Sequence, residues 1–238
     1  MDAYLEEILF AVPFLVTLLL AGGLWWMAWR AQEARRFWGW LAAGLTANVA
    51  GNVVWIVHDM VTGTVLPPLS WVDLLFVARY VCFGIAFLLY PAPWPRQKLL
   101  EVGGVIVLTA LGVWVCVYRT EFVFVKRDWD QVLGVAMYPV FDVGLIYMIS
   151  ARWREMSTEP WRRSLFLLFL SALSYGVANG IQFCVRMASV DGSSNWATLF
   201  WFLSDVVMIA AIVWFARRRE DRPEVKEDPD EISEPQLS

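Results

Sequence analysis

Residues 99–118 read LLEVGGVIVLTALGVWVCVY, twenty positions with a single charge, Glu101, and no proline. At 1.5 Å per residue a helix of that length reaches ~30 Å, the thickness of a bilayer's hydrocarbon core. Six more stretches share this length and character: Ile8–Trp29, Phe37–Val57, Trp71–Tyr90, Gln131–Ala151, Leu165–Val185 and Ala197–Ala216. The sequence therefore predicts an all-α membrane protein with seven transmembrane helices. Composition agrees, since 59% of the 238 residues are hydrophobic and the mean hydropathy is +0.53, whereas soluble chains are about 45–50% apolar. The first span has neither a basic leader nor a small-residue cleavage site, so it reads as a retained helix and not a signal peptide.

The connections are too short to fold separately, so residues 1–219 read as one transmembrane domain. From Glu220 to Ser238 the composition turns to Glu, Asp and Pro with almost nothing to bury. That segment, 220–238, reads as a disordered acidic tail. It accounts for much of the net charge of −4, which gives no support to nucleic acid binding.

Basic residues near helix ends stay on the cytoplasmic side. Arg30, Arg35, Arg36, Arg96, Lys98, Arg152, Arg154, Arg162, Arg163, Arg217, Arg218 and Arg219 gather at one set of ends, twelve in all, against Arg119, Lys126, Arg127 and Arg186 at the other. The expected orientation puts the N-terminus outside and the tail in the cytoplasm, in a multi-pass protein of the plasma membrane whose first partner is the bilayer.

An internal repeat underlies the spans. Pro13 over Pro139 gives an offset of 126, Asn52 over Asn179 one of 127, and Trp71 over Trp196 one of 125. Spans one to three would then repeat as five to seven with the fourth as connector, a parallel 3+1+3 arrangement. Such folds place their site between the halves.

Ionisable side chains within a bilayer cost ~2.5–3.5 kcal/mol on insertion scales, so they face the bundle interior and mark a pairing or a function. In the expected orientation Asn52, His58, Asp73, Arg79, Asn179, Gln182 and Asp205 occupy the outer half of the spans, with Asp142 near the middle. Trp55 and Trp201 lie close to them. A polar pocket open to the outside is expected from Asn52, Trp55, Asp73, Arg79, Asp142, Asn179, Gln182, Trp201 and Asp205, floored by apolar packing and suited to a small apolar or anionic ligand. The two indoles could equally fill core. Arg79 cannot be neutralised at ordinary pH and must find an acceptor. It is expected to pair with Asp205, with Asp142 as second acceptor, whether for binding or simply to fix helix register.

The remaining aromatics read as interfacial belts: Trp25, Trp26, Trp29, Trp38, Trp40, Trp94, Trp153 and Trp161 on the basic side, Trp71, Trp129 and Trp196 on the other. His58 is the sole histidine and reads as an interfacial residue. Cys82, Cys116 and Cys184 stand at unrelated spacings and read as buried apolar thiols. No metal set and no cofactor is expected.

The stretch 51–91, GNVVWIVHDMVTGTVLPPLSWVDLLFVARYVCFGIAFLLYP, resembles the seven-helix membrane module found ahead of diguanylate cyclase, PAS and histidine kinase domains in many bacterial signalling proteins. Gly51, Trp55, Pro68, Ser70, Asp73 and Tyr80 match that family's pattern, and Tyr138, Pro139 and Asp142 match its Y-P-x-x-D on the fifth helix. Asn52, Arg79, Val81, Asn179, Thr198 and Asp205 depart from it, and no output domain is present. The resemblance implies a bacterial sensor that works alone or through a cytoplasmic signalling partner.

Other classes fare less well. A retinal protein needs a lysine in its last span, and Ala197–Ala216 has none. A transporter would show paired interrupted segments. An enzyme acting on a lipid or isoprenoid is the alternative to the sensor. Asp73, Asp142 and Asp205 would be its catalytic carboxylates, giving and removing a proton, and the general look is similar to the membrane terpene cyclases. Their W-E pair on helix two is missing, because Ile56 follows Trp55. The topology is directly testable: a reporter that works only in the cytoplasm, fused after Arg219, is expected to be active, and activity confined to an external reporter would refute the orientation.

Overall fold

The computed structural model describes residues 3–64, 66, 69–90, 94–119, 129–159, 161–188 and 195–220. Among these residues there are seven α-helices and no strand: α1 (Ala3–Arg30), α2 (Arg35–Thr62), α3 (Asp73–Leu89), α4 (Arg96–Arg119), α5 (Trp129–Glu155), α6 (Trp161–Ala188) and α7 (Asn195–Glu220), with a 3-10 turn at Gln32–Ala34. Each apolar stretch falls on one helix. Six helices run past the stretch that foretold them, and α3, at 17 residues, is slightly shorter. Five helices, α1, α2, α4, α6 and α7, are long and apolar enough to cross a membrane. The acidic tail from residue 221, Pro68 and the charges at 120–128 and Asp191 lie outside the described residues.

Local chemistry sets the helix ends. Gly63 adopts φ +64°, and its N–H donates to Asp59 O at 2.8 Å, the left-handed cap that glycine accepts without penalty. At the end of α3, Tyr90 turns to an extended conformation, φ −115° and ψ 141°, as the residue before a proline must.

The helices pack as a ring. α1 meets α2, α2 meets α3, α3 meets α5, α5 meets α6, α6 meets α7, and α7 returns to α1; α4 lies outside the ring, packed along α5 and touching α6 where Val117 meets Phe183. α3 and α5 are therefore neighbours despite the helix between them in sequence.

The distribution of polarity is inverted relative to a soluble protein. Leu19, Leu100 and Leu108 are each at least 70% exposed, whereas Arg79 and Asp142 are 3% exposed and Asp205 7%. An apolar exterior around charged interior residues is the arrangement a lipid environment requires. Cys116 and Cys184 belong to that exterior, so the expectation of buried thiols fails for both, because their helix faces point away from the ring.

Glycine lets α2 and α3 approach closely. A Cβ at Gly44 would lie 2.8 Å from Phe83 Cδ1 and 3.0 Å from Arg79 O, and one at Gly51 would lie 2.9 Å from Phe76 Cε1. Small residues at this contact allow backbones to meet in the absence of a hydrophobic driving force. The pair thereby positions Arg79.

The basic end is sealed by aromatic rings. Trp38 sits among Phe37, Trp161 and Phe215, with ring centroids 5.2–6.2 Å away, and is fully buried, while Trp94 is 7% exposed. These two are core residues and not belt residues: Trp38 lies on an inward face of α2, and Trp94, between α3 and α4, is held by its Nε1 bond to Glu155 Oε2 at 3.0 Å and by Arg152. Trp25, Trp26, Trp29, Trp71 and Trp196 do face outward. Arg152, expected only as a topological charge, donates from Nε to Phe87 O at 2.6 Å and from Nη2 to Leu88 O at 2.9 Å. It thus satisfies carbonyls of the last turn of α3 that have no partner within the helix. Its guanidinium also lies 4.4 Å from the Trp94 ring centroid.

Gly44→Val should destabilise the protein by about 1–3 kcal/mol through overpacking against a backbone carbonyl. Gly103→Ala and Gly112→Ala, which meet open space, should be neutral or mildly stabilising. Thermal unfolding in lipid nanodiscs checks both, and equal tolerance at the three sites would contradict the close approach.

Candidate functional site

Consecutive residues on a helix point about 100° apart, so Arg79 and Tyr80 of α3 serve different neighbours. The Arg79 guanidinium lies over the Tyr175 ring of α6, 3.5 Å from its centroid, and 5.4 Å from that of Phe83. Its Nη1 donates to Asn48 Oδ1 of α2 at a long 3.5 Å, and its Nε has no acceptor. A desolvated cation on an aromatic face is held by ~2 kcal/mol, which does not replace a missing acceptor.

The expected ion pair is not formed. Among the described residues no carboxylate lies within 4.0 Å of Arg79; the ion pairs are Lys98–Glu101, Arg152–Glu155 and Arg163–Glu159. Asp205 and Asp142 act on Arg79 through space, but each is engaged elsewhere. Asp205 of α7 faces α1 and contacts Thr17 Oγ1, which turns its carboxyl away from the guanidinium.

Tyr80 points to α5 and starts a second set of contacts. Its hydroxyl donates to Asp142 Oδ1 at 2.8 Å, and Asn179 Nδ2 of α6 donates to Asp142 Oδ2 at 2.8 Å and to Tyr80 Oη at 3.1 Å. Trp201 Nε1 of α7 completes the set by donating to Asn179 Oδ1 at 3.0 Å. Four helices are joined in this layer, and every polar atom in it has an assigned role with Asp142 as acceptor. Gly176 makes room for it, since a Cβ there would lie 3.3 Å from Asp142 Cβ. Beside it, Ser171 of α6 and Ser204 of α7 are buried and bonded to each other at 3.0 Å.

Exposure falls along the path into the bundle. Asn52, Trp55, Asp73, Asn179, Gln182 and Trp201 are half-buried, whereas Arg79, Asp142, Asp205 and Asn48 are buried. Beneath the layer lies a cavity of about 10 Å³, room for roughly one water molecule. Arg79, Asp142, Ser171 and Tyr175 form its polar wall, and Phe83, Phe87, Ile149 and Met208 are among its apolar lining. The expected open pocket is therefore a half-exposed polar mouth over a very small buried space.

The sequence-derived candidates divide into three groups. Arg79, Asp142, Asn179 and Trp201 come together. Asp73 stands apart, accepting from Tyr138 Oη at 2.5 Å and Ser70 Oγ at 3.3 Å, and Asp205 belongs to the α1–α7 seam. Asn52 and Trp55 join no hydrogen bond of the layer. Asp142 alone of the three candidate catalytic carboxylates lines the cavity. His58 Nδ1 lies 3.1 Å from Thr64 O at the end of α2. Among the described residues no three metal-binding side chains gather.

Thr17, Asn48, Tyr80 and Tyr175 take part without having been among the candidate site residues. Helical spacing could have found two of them: Asn48 is one turn before Asn52, and Tyr175 one turn before Asn179. Comparison with protein-family models, curated proteins and solved structures finds no match for this chain.

Asn179→Leu should cost about 1–3 kcal/mol, because it leaves Trp201 Nε1 and one Asp142 oxygen short of partners, whereas Tyr80→Phe should cost about 0.5–1.5 kcal/mol. Unfolding midpoints in lipid measure both. A smaller effect for Asn179→Leu than for Tyr80→Phe would contradict its place as the joint between α5, α6 and α7.

Proposed function

We propose that this chain is a multi-pass plasma-membrane sensing module of seven crossings, with its N-terminus outside, whose input site is the layer around Arg79 and which acts through a cytoplasmic partner. The observation that carries the reading is Arg79 itself. A guanidinium 3% exposed, with one long hydrogen bond and an unpartnered Nε, has unused donors at the wall of a cavity. A ligand bearing a carboxylate or phosphate supplies the acceptors that the protein withholds.

Seven crossings are supported by the ring, in which α3 and α5 share a polar layer with α6 and α7, helices long and apolar enough to span a membrane. The parallel repeat has support in matched contacts. With the offsets of 127 for α2 and 125 for α3, Gly44 and Arg79 fall over Ser171 and Ser204. The close approach of Gly44 to Arg79 O then corresponds to the Ser171–Ser204 bond. The same 125 places Tyr80 over Asp205, whereas the offset of 126 for α1 places Thr17 over Val143, the residue after Asp142. Exclusion of α4 from the ring suits its part as connector.

A cavity sized for one water admits a ligand only if the layer parts. Trp201 and Asn179 stand at its half-exposed mouth, so their separation is the natural opening step. α3 and α6 then carry the displacement to the basic end, where Arg152 holds the last turn of α3 and Trp161 packs among aromatic rings. A partner docked at that end would read the movement.

The reading is tested by thermal unfolding of wild type and Arg79→Gln in nanodiscs against acetate, laurate and inorganic phosphate, with dodecanol as uncharged control. At least one anion should stabilise wild type, by ~2.7 kcal/mol at about 100 times its Kd, and leave Arg79→Gln unmoved. Equal responses of the two proteins, or a response to dodecanol alone, would remove Arg79 from the input site.

A further inference from the structure

Thr17 has one hydroxyl proton and two oxygen neighbours. Its Oγ1 lies 3.0 Å from Pro13 O and in contact with Asp205 Oδ2. A backbone carbonyl can only accept. If the Thr17 proton goes to Pro13 O, the contact with Asp205 is a hydrogen bond only when Asp205 donates. If it goes instead to an ionised Asp205, the Thr17 and Pro13 oxygens face each other with no proton between them. With an ionised Asp205 the two acceptors would have to share the single Thr17 proton, whereas the chain Asp205 O–H to Thr17 O–H to Pro13 O=C gives each contact a proton of its own.

Charge balance points the same way and is independent of that geometry. Away from the basic end, the buried charged residues among those described are Arg79, Asp142 and Asp205, one cation and two potential anions. Asp142 receives two donors, Tyr80 and Asn179, which is the environment of an ionised carboxylate. Asp142 ionised and Arg79 charged are in balance. A second carboxylate would leave an uncompensated charge in a low-dielectric interior.

We infer that Asp205 is a proton-binding site, occupied in this conformation, and that its proton closes the seam between α1 and α7. The proton comes from and returns to water, with no other group oxidised or reduced. The charged and titratable groups facing Asp205 are Arg79 of α3 and Tyr175 of α6, while α1 presents the neutral Thr17. On release of the proton, Thr17 must turn its hydroxyl from Pro13 to Asp205, and the new carboxylate attracts Arg79 away from Asn48. The seam that joins the two ends of the helix ring is thereby coupled to proton occupancy. This inference does not depend on the sensor reading, since it concerns a different helix contact and a different ligand.

Infrared spectroscopy of the protein in nanodiscs at neutral pH tests it. Wild type should show the C=O stretch of a protonated carboxyl that shifts in heavy water, Asp205→Asn should lose that band, and Asp73→Asn, which leaves the charges around Arg79 intact, should keep it. Absence of the band in wild type, or its survival in Asp205→Asn, overturns the assignment. Unfolding supplies a second readout: an asparagine amide can donate to Thr17 as the neutral acid does, so Asp205→Asn should unfold within a few degrees of wild type at neutral pH. Thr17→Val should move the band's frequency by removing its acceptor; an unmoved frequency would also overturn the proposal.

Discussion

A guanidinium cannot give up its proton inside a membrane protein, and the arrangement of this bundle follows from that constraint at Arg79. Gly44 brings α2 against the backbone at Arg79, Tyr175 supplies a ring face, Asn48 supplies a distant oxygen, and the nearby carboxylates stay outside contact distance. These features come from four helices, α2, α5, α6 and α7. Together they hold the charge in place while leaving some of its hydrogen-bonding capacity unused.

The polar interior is organised in separate units and not in one large network. Asp142 ties α3, α5 and α6 and reaches α7 through Asn179 and Trp201, Asp73 pairs with Tyr138 toward the N-terminal end of α3, and Asp205 belongs with Thr17 of α1. Under the proposed function, a ligand at Arg79 and a proton at Asp205 would each bias a different seam of the same ring, with the close-packed aromatic end as a common readout. Arg152 matters here because it fixes the end of α3 to α5, so that a displacement of α3 cannot dissipate in its last turn.

Much of the fold was legible because bilayer thickness dictates length and lipid dictates composition. Residues such as Leu108 and Leu19 announce an apolar exterior without any partner being known. The packing of side chains was less accessible. Trp38 and Trp25 look alike in sequence, and the direction of the helix face alone makes one a core residue and the other an exposed one. The Arg79–Asp205 pair was inferred from depth, and equal depth does not decide which way a side chain points around its helix. Asn48 and Tyr175 were within reach by their one-turn spacing to Asn52 and Asn179, whereas the Thr17 contact joins helices 188 residues apart and had no local signal.

With a proton on Asp205, as inferred above, the charge of Arg79 is balanced by Asp142 and not by Asp205. Double-mutant cycles in lipid, using Arg79→Met with Asp142→Leu and separately with Asp205→Leu, measure the two couplings. The expected coupling at neutral pH is about 1–3 kcal/mol for Arg79 with Asp142 and within ~0.5 kcal/mol of zero for Arg79 with Asp205. A strong coupling to Asp205 together with none to Asp142 would contradict it.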